Sequence, residues 1–135
     1  MKKLFVLFLL FFSCFIFTAC KHDKGIILFN TQAITKENVL TDAKHFKIGQ
    51  RVYYLFIAPE RMENKYIRVQ IFKITDKAAL GGAEVVRTKD FRLMKDQRYY
   101  HSDYFVLYEK GRYVMQVFSI DDLQHPLAFN DFYVK

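Results

Sequence analysis

Tyr66-Ile67-Arg68-Val69-Gln70-Ile71-Phe72-Lys73-Ile74 alternates apolar and polar residues over its first six positions. Ile67, Val69 and Ile71 fall on one side of an extended chain and Arg68 and Gln70 on the other, the two-residue period of a half-buried strand. A polar turn over Arg61–Lys65 precedes it, and before that Arg51–Ile57, RVYYLFI, is a β-branched and aromatic run closed by Pro59. Working outward, Gly25–Asn30 reads as a first strand, and Thr31–Gly49 as loop and strand edge with room for a helical turn. Downstream, Gly81-Gly82 marks a turn, followed by short edge strands at Ala83–Arg87 and Phe91–Met94. Tyr104–Tyr108, Arg112–Ser119 and Phe129–Val134 complete the series. Seven or eight short strands with no sustained helical period predict an all-β, antiparallel sandwich or barrel over residues 25–135.

A second stretch narrows that choice. Glu109-Lys110-Gly111-Arg112-Tyr113-Val114-Met115-Gln116-Val117 resembles the approach to strand F of immunoglobulin-like domains, where an acidic residue, a glycine and a tyrosine precede the second core cysteine. The resemblance implies an immunoglobulin-like β-sandwich. Tyr113 would be its tyrosine corner, with the ring buried and the hydroxyl bonded to upstream backbone, and Met115 would take the place of the cysteine. Gly49–Phe56 is similar to the lead-in of strand B and sets Phe56 at the partner position, so that a phenylalanine and a flexible thioether replace the disulfide. The chain has no tryptophan and so departs from the strand C residue of antibody domains.

The N-terminal segment MKKLFVLFLLFFSCFIFTAC orders two lysines, an apolar run from Leu4 to Phe12, and small residues before charge resumes at Lys21, the order of an export signal. Its end, Phe17-Thr18-Ala19-Cys20, resembles the lipobox of bacterial lipoproteins, with Ala19 before a cysteine that becomes the first residue of the mature chain. Cys14 follows Ser13 but has bulky Phe11 and Phe12 before it and more apolar residues after it, so Cys20 is the better lipidation site. Two other readings of this segment compete: an uncleaved membrane anchor over residues 4–20, near the lower length limit for a span, and a secretory signal cut after Ala19 that leaves Cys20 a free thiol. The lipoprotein resemblance implies residues 1–19 as signal peptide and residues 20–24 as lipidated cysteine and short tether. It also implies three acyl chains, palmitate among them, enough for stable attachment where one chain binds only marginally. Lys21, unlike the aspartate that retains lipoproteins at an inner membrane, favours an outer membrane where the cell has one.

Both cysteines lie in this segment, so the domain must be stable through burial alone; 52% hydrophobic and 18% aromatic residues provide for that. No thiol redox centre and no cysteine zinc site can be assembled from the remainder. Loss of Lys2 and Lys3 with the signal would reduce the formal net charge below +7, and the remaining charge is spread without a run of like sign. That pattern is a solvated surface with mild attraction to anionic headgroups or an acidic envelope polymer, and it carries no nucleic-acid motif.

The residues with chemistry are few. His22, His45, His101 and His125 are isolated, and Asp121, Asp122 and His125 are the nearest approach to a metal set without having a recognised ligand spacing. Ser102 has His101 and Asp103 as immediate neighbours, but adjacent strand residues point apart whereas a catalytic triad needs convergence from separate segments. No metal, cofactor or small-molecule substrate is therefore predicted. The expected function is a non-catalytic binding or envelope-assembly module held to a membrane by its lipid anchor, with an envelope protein or polymer as partner. The alternative is a small periplasmic hydrolase or metal-dependent enzyme that gathers His101, His125, Asp121 and Asp122. Tyr99 and Tyr100 with Arg98 and His101 form the candidate partner contact, since amphipathic aromatics make good contact surfaces. Tyr104 and Tyr108, equally spaced, are expected to face the core instead.

Overall fold

A computed structural model describes residues 24–75 and 81–135; the proposed signal and Cys20 lie outside them. The domain is an all-β, immunoglobulin-like sandwich with eight strands in two sheets among the described residues. The first sheet contains β1 (Ile26–Asn30), β3 (Arg51–Ile57) and β6 (Tyr100–Val106) in the order β1-β3-β6. The second contains β2 (His45–Phe46), β4 (Tyr66–Ile74), β5 (Ala83–Arg92), β7 (Gly111–Ser119) and β8 (Ala128–Val134) in the order β2-β8-β7-β4-β5. All pairs are antiparallel except β2 with β8, which run parallel with His45 opposite Tyr133. In immunoglobulin terms β3 and β6 stand as the paired strands B and E, and β4, β7 and β8 as the neighbouring strands C, F and G.

Period-two patterning builds the core. Ile67, Val69 and Ile71 of β4 turn inward against Val52, Tyr54 and Phe56 of β3, all buried. Phe132 of β8 sits at the centre, its ring 4.8 Å from Phe29, 5.8 Å from Phe46, 5.6 Å from Phe105 and stacked at 12° on Tyr113. Phe56 and Met115 are both fully buried in this cluster. The Tyr113 hydroxyl donates to the Glu109 carbonyl at 2.8 Å, the geometry of a tyrosine corner. Gly111 between them holds φ +154, and a Cβ there would meet the Lys73 side chain at 3.0 Å as that lysine crosses to Glu109.

Three expectations change. The Ala83–Arg87 and Phe91–Met94 strands are one continuous β5, ending at Arg92, because ladder pairing with β4 carries the backbone through a segment that lacks an apolar face of its own. The strand expected at Tyr104–Tyr108 begins at Tyr100 instead, in register with Ile57 of β3. Within Thr31–Gly49 a two-residue strand, β2, appears where Phe46 reaches the core.

Candidate functional site

The outer faces of a sandwich are normally polar; the five-stranded sheet carries ion pairs there, Arg68 with Asp90 at 2.8 Å and Arg112 with Asp131 at 3.0 Å, alongside the exposed rings of Phe129 and Tyr133. The three-stranded sheet presents an apolar strip. Register places Ile26 beside Ile57, Leu28 beside Leu55, and Tyr100 on the other side of Ile57, all on the face turned away from the core. Leu55 is only 6% exposed, yet it stands apart from the main core cluster. Ile34, Thr35, Lys36 and Val39 of the connection between β1 and β2 line, together with Leu55, Ile57, Tyr99, Tyr100 and Ser102, a groove of about 620 Å³. That volume falls within the range of ligand-sized sites.

Asn38 holds this connection. Its side chain accepts from the Thr35 N–H at 2.7 Å and donates to the Ala33 carbonyl at 2.9 Å, while its own carbonyl accepts from the Asn30 side chain at 3.2 Å. Further along, the Phe29 N–H donates to the Asp42 carboxylate at 3.2 Å and the Ala43 N–H to the Phe29 carbonyl at 2.8 Å, tying the returning chain to β1.

Of the proposed contact residues, Tyr99 and Tyr100 line this groove and are exposed. Arg98 turns to the connection between β3 and β4 and donates to the carbonyls of Met62 at 3.4 Å and Glu63 at 3.0 Å. The polar turn at Arg61–Lys65 and the tyrosine segment therefore adjoin, fastened further by Met62 N–H to Arg98 carbonyl and Ala58 N–H to Tyr99 carbonyl bonds of 2.8 and 2.7 Å. His101 points the other way. It packs between the sheets 4.2 Å from the Phe91 ring and 5.9 Å from Tyr54, its Nε2 buried without a partner. Burial pulls its pKa below the ordinary histidine value, opposed by nearby Asp103 and reinforced by Lys89.

The expected core placement of Tyr104 and Tyr108 is overturned. On β6 the inward positions are His101, Asp103 and Phe105, so Tyr104 faces outward, 5.5 Å from the Tyr53 ring and under the Arg51 guanidinium at 4.8 Å. Tyr108, beyond the strand, is 75% exposed.

The groups named for catalysis or metal binding divide between two places: His101 packs between the sheets, and Asp121, Asp122 and His125 share the turn between β7 and β8. His125 is exposed and lies 3.1 Å from the Asp122 carboxylate, whereas Asp121 accepts from the Ser119 hydroxyl. Among the described residues no three His, Cys, Asp or Glu side chains come together as a metal site. Ser102 looks into the groove while its neighbours His101 and Asp103 look into the sandwich. The groove residues Ile34, Val39, Leu55 and Ile57 were not read as a site from sequence. The signal was nonetheless present in RVYYLFI, which is apolar at both parities near its end and so needs cover on both faces.

No family model matches the chain, and no curated protein matches it. Among solved structures it is similar to a superoxide reductase (neelaredoxin) from Ignicoccus hospitalis, at 9% identity over 84% of this chain and 81% of that one, with a TM-score of 0.48. The PmoD soluble domain from Methylocystis sp. gives 12% identity over 82% and 90% with a TM-score of 0.47. An immunoglobulin-like protein from Pseudomonas aeruginosa gives 10% over 85% and 99% with a TM-score of 0.46.

Proposed function

We propose that the protein is an exported bacterial lipoprotein, anchored by acyl groups on Cys20, whose sandwich is a non-catalytic binding module for an envelope protein or polymer. The observation that carries the reading is the Phe17-Thr18-Ala19-Cys20 lipobox placed directly before a domain that begins at Gly25. The contact surface is the end of the sandwich where Tyr99 and Tyr100 adjoin the Arg61–Lys65 turn, two aromatic side chains beside a mixed-charge loop. Work by contact rather than catalysis is supported by the packing of His101 between the sheets, apart from the exposed Asp122–His125 pair.

Cys20→Ala tests the anchor. Membrane fractionation and intact mass should show loss of the acyl mass and release or misprocessing of the chain; unchanged partitioning and mass would refute the lipoprotein reading. Crosslinking with mass spectrometry in intact cells tests the module: a recurrent neighbour joined to the 61–65 or 98–100 segments is expected and should weaken in Tyr99→Ala/Tyr100→Ala. A neighbour captured only through other surfaces would reject this contact site.

A further inference from the structure

Aliphatic side chains and hydroxyl-bearing ones line the groove together, and its residue Ile57 abuts Gly25. Lys24 lays its ammonium over the Phe129 ring at 4.7 Å, and Gly25 is the first residue held by its backbone, its N–H bonded to the Leu127 carbonyl at 2.7 Å. A Cβ on Gly25 would stand 2.4 Å from the Ile57 carbonyl oxygen and 3.2 Å from Pro59, so the chain arrives pressed against the end of β3. The next residue, Ile26, is 53% exposed and pairs with Ile57, a groove residue. An apolar track therefore runs from the point of arrival, across Ile26 and Ile57, to Leu55, which shares the groove with Ile34 and Val39. Lys36 is the one charged residue lining the groove, and the polar groups beside it are hydroxyls of Thr35, Ser102 and the two tyrosines.

Resting on the lipoprotein reading above, we propose that the groove shelters one acyl chain of the protein's own lipidated Cys20. Five residue steps separate Cys20 from Gly25, which limits their Cα distance to about 18 Å. A chain tethered that closely meets the groove at an effective concentration on the order of millimolar, so even a weak site competes for it. An acyl chain makes no hydrogen bonds, which suits a groove floored by Leu55 and Ile57. A polar peptide or glycan would find partners among the rim hydroxyls and Lys36 but none at Leu55 and Ile57.

The test uses the full chain expressed in cells fed a diazirine-bearing palmitate, irradiated before lysis, with adducts located by mass spectrometry. The expected product joins the N-terminal peptide bearing labelled Cys20 to a peptide containing Leu55, Ile57, Tyr99 or Tyr100 of the same molecule. Ser102→Trp, which fills the groove from an exposed strand position, should lower that product at least ten-fold while acyl label on Cys20 stays constant. Label on Cys20 with adducts only to bilayer lipid, or groove peptides joined to phospholipid rather than to Cys20, overturns self-occupancy and leaves the lipoprotein reading standing. An undiminished product in Ser102→Trp overturns it equally. Absence of label from Cys20 overturns both.

Discussion

Tyr113 joins two tasks in one side chain, since its ring stacks on Phe132 while its hydroxyl closes the turn at Glu109. Tyr113→Phe keeps the packing and removes the bond, so it should cost about 1 kcal/mol, read as a lower urea midpoint with unchanged slope. His101 makes a different prediction. Its pKa is lowered in the folded state, mainly by burial, from the ordinary 6.5, so the unfolded chain binds the proton more readily. Its contribution is therefore intact above pH 6.5 and is lost as pH falls from there toward the folded pKa. The groups facing it are Phe91, Tyr54, Asp103 and Lys89, and Asp103 in part offsets the effect. The urea midpoint should fall on acidification through this window, and His101→Phe should flatten that portion of the profile; an unchanged slope in the variant would assign the pH dependence elsewhere.

Among the elements, β5 carries the greatest exposure. It is a ten-residue edge strand whose charges include Arg87 and Lys89 turned toward the open side near β6, where Lys89 reaches Asp103 at 3.7 Å. Inward-pointing charge is a common guard against strand-to-strand association, and a bulge between Ile71 and Phe72 of β4 interrupts the same ladder. Replacing both, Arg87→Val/Lys89→Val, should convert a monomer into dimers or larger species at micromolar concentration in sedimentation velocity. The same strand shows what could be read from sequence and what could not. Arg51–Ile57 and Tyr66–Ile74 were legible to the residue because burial imposes either dense β-branching or alternation on them. β5 was cut in two because a strand with almost no buried face leaves no hydrophobic period to detect. On β6, Tyr104 shares a parity with Tyr100 and Ser102 while His101, Asp103 and Phe105 take the other, and the single phenylalanine outweighs the tyrosines for the inward side; Tyr108 lies beyond the strand. The groove was hidden for a related reason: part of its lining lies in Thr31–Gly49, where Ile34 and Val39 follow no strand period and are organised by Asn38 instead.

For the whole molecule, one core keyed on Phe132 replaces a disulfide, with four aromatic rings converging on it from three other strands and from β2. Phe132→Ala should therefore cost about 3–5 kcal/mol, a large share of the 5–15 kcal/mol typical of a domain, and should do so in a single transition seen alike by fluorescence and circular dichroism. A loss confined to one sheet, with biphasic melting, would mean that the two layers are not one cooperative unit. The way β1 is seated matters further for the N-terminal attachment proposed above. Tension along that strand would slide it lengthwise against β3, loading the five facing positions from Ile26↔Ile57 to Asn30↔Tyr53 together instead of peeling them apart one after another. Under the proposed attachment, that seating would let the domain resist being dragged by its leash.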